Sequence, residues 1–324
     1  MKYLVTGGAG FIGSHLAEEC LQNGNEVVVL DNFATGRRDN LKHLEKYPHL
    51  KLVQDSIMNY SRMVELVGSC DAVFHMAAAV GVEYILENPL LSIQINFRGT
   101  DLLLELANKF QKCVLIASSS EVYGRNNKVP LREDDNRTYG STAVVRWSYA
   151  AGKALDEFLG LAYWQTTHLP VVIIRFFNII GPRQTGRYGM VVPRLVCQAL
   201  RGEDLTVYGN GQQSRTFTCV YDAVKAVRRL IGMPEAYGQV FNIGGSKEIT
   251  ILDLAKRIIE LTDSKSTIKI VPYEQAYQSG FEDMERRVPD VSKVEKLIGC
   301  VNPTSLDDTI RSVIEFFKDR PDIR

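Results

Sequence analysis

The sequence predicts an α/β protein: a doubly wound parallel sheet with a smaller C-terminal lobe interleaved with it. Three observations carry this. Short β-branched runs alternate with helical stretches through the first half of the chain, the pattern of a parallel sheet covered on both faces. Gly7, Gly10 and Gly13 fall between the first apolar run and the first helical one, where such sheets take ligands onto a helix N-terminus. A third run, "KCVLIASSS", leads straight into Ser118, Ser119, Ser120 and Glu121. Polar residues at the carboxyl end of a buried strand are where open α/β sheets place their ligands.

Taken in order, "KYLVTG" predicts a strand and "FIGSHLAEECLQNG" a helix, with Ile12, Leu16 and Cys20 on one face and Gly24 after its end. "EVVVLD" is the second strand, followed by the polar loop "NFATGRRDN". "LKLVQDS" and "DAVFHMAAA" read as two more strands, and "NPLLSIQINFRGTDLLLELANKF" as a helix. "RWSYAAGKALDEFLGLAYWQTT" is a helix and "PVVIIRFFN" the next strand. After Asn178 come a glycine-rich loop, "GPRQTGRYGM", the helix "VVPRLVCQALRG", the strand "LTVYG" and a second polar loop, "GNGQQSRTFTC". "VYDAVKAVRRLIG" and "VFNIGG" predict a helix and strand that rejoin the main sheet; "TILDLAKRIIELTD" and "SLDDTIRSVIEFFKDR" predict two further helices. The expected division is 1–178 for the sheet domain, with segments near 216–245 returning to it, and 179–324 for the interleaved lobe.

Bulk properties narrow the function. The chain has 324 residues, 45% of them hydrophobic, enough for one large core or two smaller ones. Lys+Arg and Asp+Glu are equal at 38 each, without the basic footprint of a nucleic-acid binder. Six cysteines lie scattered with no Cys-x-x-Cys pair, and five histidines lack metal-ligand spacing. They predict reduced thiols in a cytoplasmic protein, with His15 and His75 packed or locally bonded and no metal. The apolar N-terminus is broken by glycines within a few residues, so neither a signal peptide nor a membrane span is expected.

The motifs give the chemistry. "VTGGAGFIGSHL" joins strand, glycines and helix in the register of a dinucleotide-binding Rossmann turn, and the second strand ends at Asp31, placed to bond the adenine ribose hydroxyls. An acid there disfavours the extra phosphate of NADP, with Arg37 and Arg38 a weak counterweight, so NAD is the expected cofactor. "YAAGK" puts Tyr149 and Lys153 on one helical face. A phenol ionises near ~10; a lysine ammonium and a nicotinamide ring would favour the phenolate, which can take a hydroxyl proton. A lone Tyr-x-x-x-Lys is common on amphipathic helices and gains meaning only beside the dinucleotide turn and the serine cluster.

"TGGAGFIG", "HMAAA", "NFRGT", "SSSEVYG", "YAAGK", "RFFNIIGPRQ" and "VFNIG" together resemble the extended short-chain dehydrogenase/reductase family of nucleotide-sugar epimerases, dehydratases and decarboxylases, over nearly the whole chain. The resemblance implies NAD against Gly7, Gly10, Phe11, Ile12, Gly13, Asp31 and Asn32, with Asp55, Ser56 and Ile57 bordering the adenine. Ala77, Ala78 and Ala79, with Asn96 and Ser118, would flank the cofactor's middle. Ser119 would bond the reacting sugar hydroxyl beside Tyr149, and Lys153 the nicotinamide ribose. Asn178, Arg183 and Arg215 would hold a UDP-sugar on its diphosphate side, with Val191 and the stretch containing Leu205, Val207 and Tyr208 around the base. A homodimer through a four-helix bundle, made by the helices of "TDLLLELA" and of Tyr149, is the family's habit; neither nucleic acid nor membrane is an expected partner.

The shared opening step of that family oxidises carbon 4 of the sugar. Ser120-Glu121 replaces the Asp-Glu that sugar 4,6-dehydratases carry, and resembles the UDP-glucuronate decarboxylases, as do "VEYILENPL", "RWSYAAGK" and "GFEDMERRVPD". By that resemblance Arg287, or Arg286 one residue away, faces the substrate carboxylate, which a planar guanidinium grips with two bonds. Other readings stay open. By the resemblance Glu121 with Ser120 would act near carbon 5; Glu121 can instead be a surface acid or a salt-bridge partner at a strand end, and the arginines can bind only the diphosphate, as a UDP-sugar 4-epimerase also requires. A non-catalytic NAD- and nucleotide-sugar-binding protein is the third, opposed by Ser119, Tyr149 and Lys153 standing together.

Overall fold

The alternating runs assemble into one seven-stranded parallel sheet, and in this computed structural model the described residues are 1–81, 85, 87–126, 128–186, 190–276 and 286–320. "VEYILENPL", "GFEDMERRVPD" and "GPRQTGRYGM" each lie partly outside them. Strands β1 (Lys2–Thr6), β2 (Glu26–Asp31), β3 (Leu50–Gln54), β4 (Ala72–His75), β5 (Cys113–Ser119) and β6 (Val171–Phe176) are joined by Gln239–Ile243. The order is Gln239–Ile243, β6, β5, β4, β1, β2, β3, every pairing parallel. The strand order turns back between β1 and β4, so a crevice opens at their carboxyl ends.

Alternation of side chains covers both faces. Tyr3, Val5, Val172 and Ile174 face helix α1 (Phe11–Gln22) and the helix Val220–Leu230, while Leu4, Val114, Val171 and Ile173 face the opposite layer. That layer holds α2 (Tyr60–Ser69), α3 (Pro89–Phe110) and α4 (Trp147–Thr167). Leu4, Leu16 and Leu103 are wholly buried, each contributing roughly 1.5–3 kcal/mol by leaving water. A separate core in the C-terminal half packs the helices Val191–Arg201, Ile251–Thr262 and Leu306–Lys318 around the strand Leu205–Tyr208.

Three local expectations change. "DAVFHMAAA" leaves the sheet after His75: the Ala77 amide donates to Thr6 Oγ1 at 3.3 Å and the Ala79 amide to Asn96 Oδ1 at 2.6 Å. Side chains thus replace the ladder and splay this segment along the crevice. The polar loop "GNGQQSRTFTC" holds two short strands, Ser214–Thr216 and Thr218–Cys219. Ser214–Thr216 pairs antiparallel with Glu248–Thr250 and parallel with Arg286–Arg287, opposing Arg215 to Arg287. The third addition is α2, capped by Asn59, whose side chain accepts from the Arg62 amide.

Candidate active site

A cleft of about 560 Å³ runs from the first glycine turn to the end of β5. Its floor is set by backbone geometry. Gly7 adopts φ +66°, and a Cβ there would stand 2.7 Å from the Ala77 backbone. At Gly13 a Cβ would lie 2.2 Å from the Gly7 carbonyl oxygen, so only glycine lets α1 start this close to β1. The N-terminus of α1 has no side-chain cap and no acid in its first turn, leaving its amide groups for an anion. Asp31 closes the turn: Oδ2 accepts the Ala9 amide at 2.9 Å and Oδ1 the Phe33 amide at 2.8 Å. Burial raises its pKa and those two bonds oppose the rise. The cradle that a Cβ would fill, the open helix end and an acid one strand over fit a dinucleotide diphosphate and ribose.

At the far end, β5 delivers the serines. Ser119 Oγ accepts the Glu121 amide at 3.2 Å, and the Ser119 side chain bonds Tyr149. Tyr149 and Lys153 stand one turn apart on α4, and Lys153, 2% exposed, donates to Asp156 Oδ2 at 3.1 Å. Burial pushes the pKa of the Tyr149 phenol up, the Glu121 and Asp156 charges add to that, and Ser119 works against them.

Glu121 sits among cations. Arg287 Nη2 donates to Glu121 Oε1 at 2.8 Å, Arg287 Nη1 reaches Ser120 Oγ at 3.4 Å, and Arg146 Nη2 lies 3.4 Å from Glu121 Oε2. Burial would raise the carboxyl's pKa, but Arg287 and Arg146 hold it down to about 2. Arg287 is 7% exposed and its Nε has no hydrogen-bond partner among the described residues. Arg286 points outward and pairs with Glu248 at 2.9 and 2.7 Å. Strand alternation therefore separates the two arginines, and Arg287 alone faces the cleft.

The cleft gathers the expected residues with three exceptions. Leu205 and Val207 are both 0% exposed in the lobe core, so they do not line it. The period of two turns them inward and leaves Tyr208, with Arg194 over its ring at 4.2 Å, on the cleft side. Asn96 acts from behind, its side chain bonding both the amide and the carbonyl of Ala79. Arg183 lines the cleft, yet its guanidinium pairs with Glu18 and lies 2.9 Å from His43 Nε2. Sequence reasoning missed Arg146; its signal was an arginine at the N-cap of α4 three positions before the tyrosine.

The chain matches the family model described as GDP-mannose 4,6 dehydratase over residues 4–313. It is 43% identical over 320 residues, 98% of each chain, to UDP-N-acetyl-alpha-D-glucosaminuronate decarboxylase of Bacillus cytotoxicus. Identity to UDP-glucuronic acid decarboxylase 2 of Arabidopsis thaliana is 34% over 323 residues, 99% of this chain and 69% of the other. Among solved structures, UDP-glucuronic acid 4-epimerase from Bacillus cereus in complex with UDP-glucuronic acid and NAD superposes with a TM-score of 0.88. It is 30% identical and covers 98% of this chain and 99% of that one.

Proposed function

The chain belongs to the GDP-mannose 4,6-dehydratase-like family of extended short-chain dehydrogenases/reductases, and from that membership we propose that it decarboxylates a UDP-hexuronate, UDP-glucuronate or its 2-acetamido analogue. The observation that carries this reading is Arg287, buried beside Ser120 and Glu121 at the exit of β5, its Nε without a partner among the described residues. Bound NAD would supply the acceptor, and later the donor, of the hydride exchanged at carbon 4 of the sugar. In this reading Gly7, Gly10, Gly13 and the open end of α1 hold its diphosphate, and Asp31 its adenine ribose. Ser119 orients the carbon 4 hydroxyl and Tyr149 takes its proton, leaving a ketone at carbon 4. The carbon 6 carboxylate is then β to that ketone. Its bond to carbon 5 breaks, carbon dioxide leaves, the electron pair passes to the carbon 4 oxygen, and the enolate regains its ketone as carbon 5 takes a proton from water. Arg287 orients the carboxylate. Glu121, held ionised by its two arginines, fixes Arg287 instead of acting as an acid.

The 4-epimerase reading draws on the likeness to the Bacillus cereus enzyme; it also needs a cation for a uronate. Incubation with UDP-glucuronate and with UDP-N-acetylglucosaminuronate, followed by NMR of the sugar and measurement of carbon dioxide, decides between them. Pentose formation with gas supports decarboxylation, and a C4-inverted uronate without gas rejects it. We further place the protein in a homodimer through α3 and α4, whose Leu90, Leu91, Ile93, Leu155 and Phe158 are 68%, 46%, 49%, 46% and 60% exposed. Among the described residues no helix is long and apolar enough to cross a membrane.

A further inference from the structure

Asp156 is a buried carboxylate with no task in the chemistry above. It follows Lys153 by three positions on α4, on the same helical face. The two side chains are 0% and 2% exposed, and the Nζ to Oδ2 distance is 3.1 Å. Burial pushes the Asp156 carboxyl up, and the Lys153 ammonium and the Thr100 hydroxyl beside it hold it down. The next residue, Glu157, turns the other way and is fully occupied by Arg175, Arg137 and Ser118. An apolar side chain would fill the position of Asp156 without the cost of desolvating a charge.

We propose that Asp156 is a positioning residue: through its ion pair with Lys153 it fixes the lysine head group and sets the pH at which Tyr149 begins to act as a base. The inference rests on the roles given to Tyr149 and Lys153 above. An ammonium has three donors, so a bond to Asp156 aims the head group while leaving two for a ribose. The carboxylate also offsets the ammonium's charge. Less net positive charge then reaches the phenol, in line with the upward push that Asp156 adds to burial and Glu121 at Tyr149. The other groups facing this cluster are few. Glu121 at the end of β5 is neutralised by Arg287 and Arg146. On β4, His75 stays neutral, its pKa lowered to about 3 by burial and by Lys153. From α3 comes Thr100, whose hydroxyl already donates to the Asn96 carbonyl. Glu157 beside it is matched by Arg175 of β6 and by Arg137.

The test compares Asp156→Asn, which keeps an acceptor for Lys153 and removes the charge, with Asp156→Glu, which keeps the charge. The acid limb of the kcat/KM profile is expected to move about one pH unit lower in Asp156→Asn and to stay in place in Asp156→Glu. Asp156→Ala loses the hold on Lys153 as well, and NAD binding, read by protein fluorescence without substrate, weakens about tenfold or more. An Asn profile superimposable on the parent, or equal shifts in Asn and Glu, overturns the inference. Asp156→Ser replaces Asp156→Asn should the latter not fold. Tyr149→Phe is run alongside: if it still reduces bound NAD, the assignment of Tyr149 fails. If it is inert and the Asn profile does not move, only the role of Asp156 fails.

Discussion

Replacing Arg287 with Met separates carboxylate loss from oxidation at carbon 4. The guanidinium makes a 2.8 Å bond to Glu121 and reaches Ser120 at 3.4 Å, and neither contact includes Tyr149 or Lys153. Methionine fills much of the volume and removes the charge and the fork. Losing one partner of a buried, charge-assisted pair costs about 2–5 kcal/mol. Taking about 2–4 kcal/mol of that as lost grip on the reacting carboxylate gives about a 30- to 900-fold fall in carbon dioxide release. Reduction of bound NAD in a single turnover, followed by nicotinamide absorbance, should keep its rate to within a few-fold. The keto-sugar then accumulates. Arg287→Lys keeps the charge without the planar fork and should fall in between. Carbon dioxide release within about threefold of the parent, or loss of both steps in proportion, would refute the reasoning, because a cation that serves only the diphosphate weakens both.

Three more outcomes follow from the same geometry. Gly13→Ala puts a Cβ 2.2 Å from the Gly7 carbonyl oxygen; overpacking of about 1–3 kcal/mol should weaken NAD binding about 5- to 150-fold, and an unchanged titration would contradict the close approach. Glu157→Gln removes the carboxylate that Arg175 grips at 2.8 and 2.7 Å and should lower urea stability by about 3–5 kcal/mol, so an unmoved midpoint counts against a structural role. Acid should destabilise the fold in two stages. His15 and His75, both lowered to about 3 in the folded chain, bind protons more readily when unfolded. They favour the fold above about pH 6.5, and that contribution fades as pH falls. Glu121, lowered to about 2, adds stability above its unfolded value near about 4.3, lost as pH falls toward about 2. Thermal melts across that range should show both declines, and in Arg287→Met the second should shrink.

The first half of the fold was legible because its signals are local. Gly13 is demanded by a distance within one turn, Gly7 by its φ of +66°, and Asp31 by the strand that ends there. The helix Tyr60–Ser69 carried a readable spacing in Met63, Leu66 and Val67, but it is short and polar on its other face. Arg286–Arg287 was not legible as a strand: two charged residues have no pattern, and pairing with Ser214–Thr216 comes from across the lobe. Leu205 and Val207 turn into the lobe core while Tyr208 faces the cleft, a separation that period-two alternation already carries in the sequence. Arg146 left a weak trace, an arginine three positions before Tyr149, whereas the pairing of Asp156 with Lys153 needs the fold to give it meaning.

The register that sets Arg287 opposite Arg215 has a consequence for how this architecture diversifies. Arg287 reaches Glu121 from 166 positions away, on a two-residue segment at the lobe's margin. The glycine turn and the arginine proposed to face an acid therefore sit in widely separated stretches of the chain. Slipping that segment by one residue would exchange Arg287 for an outward neighbour and retune what is accepted, with the oxidising half of the molecule left as it stands.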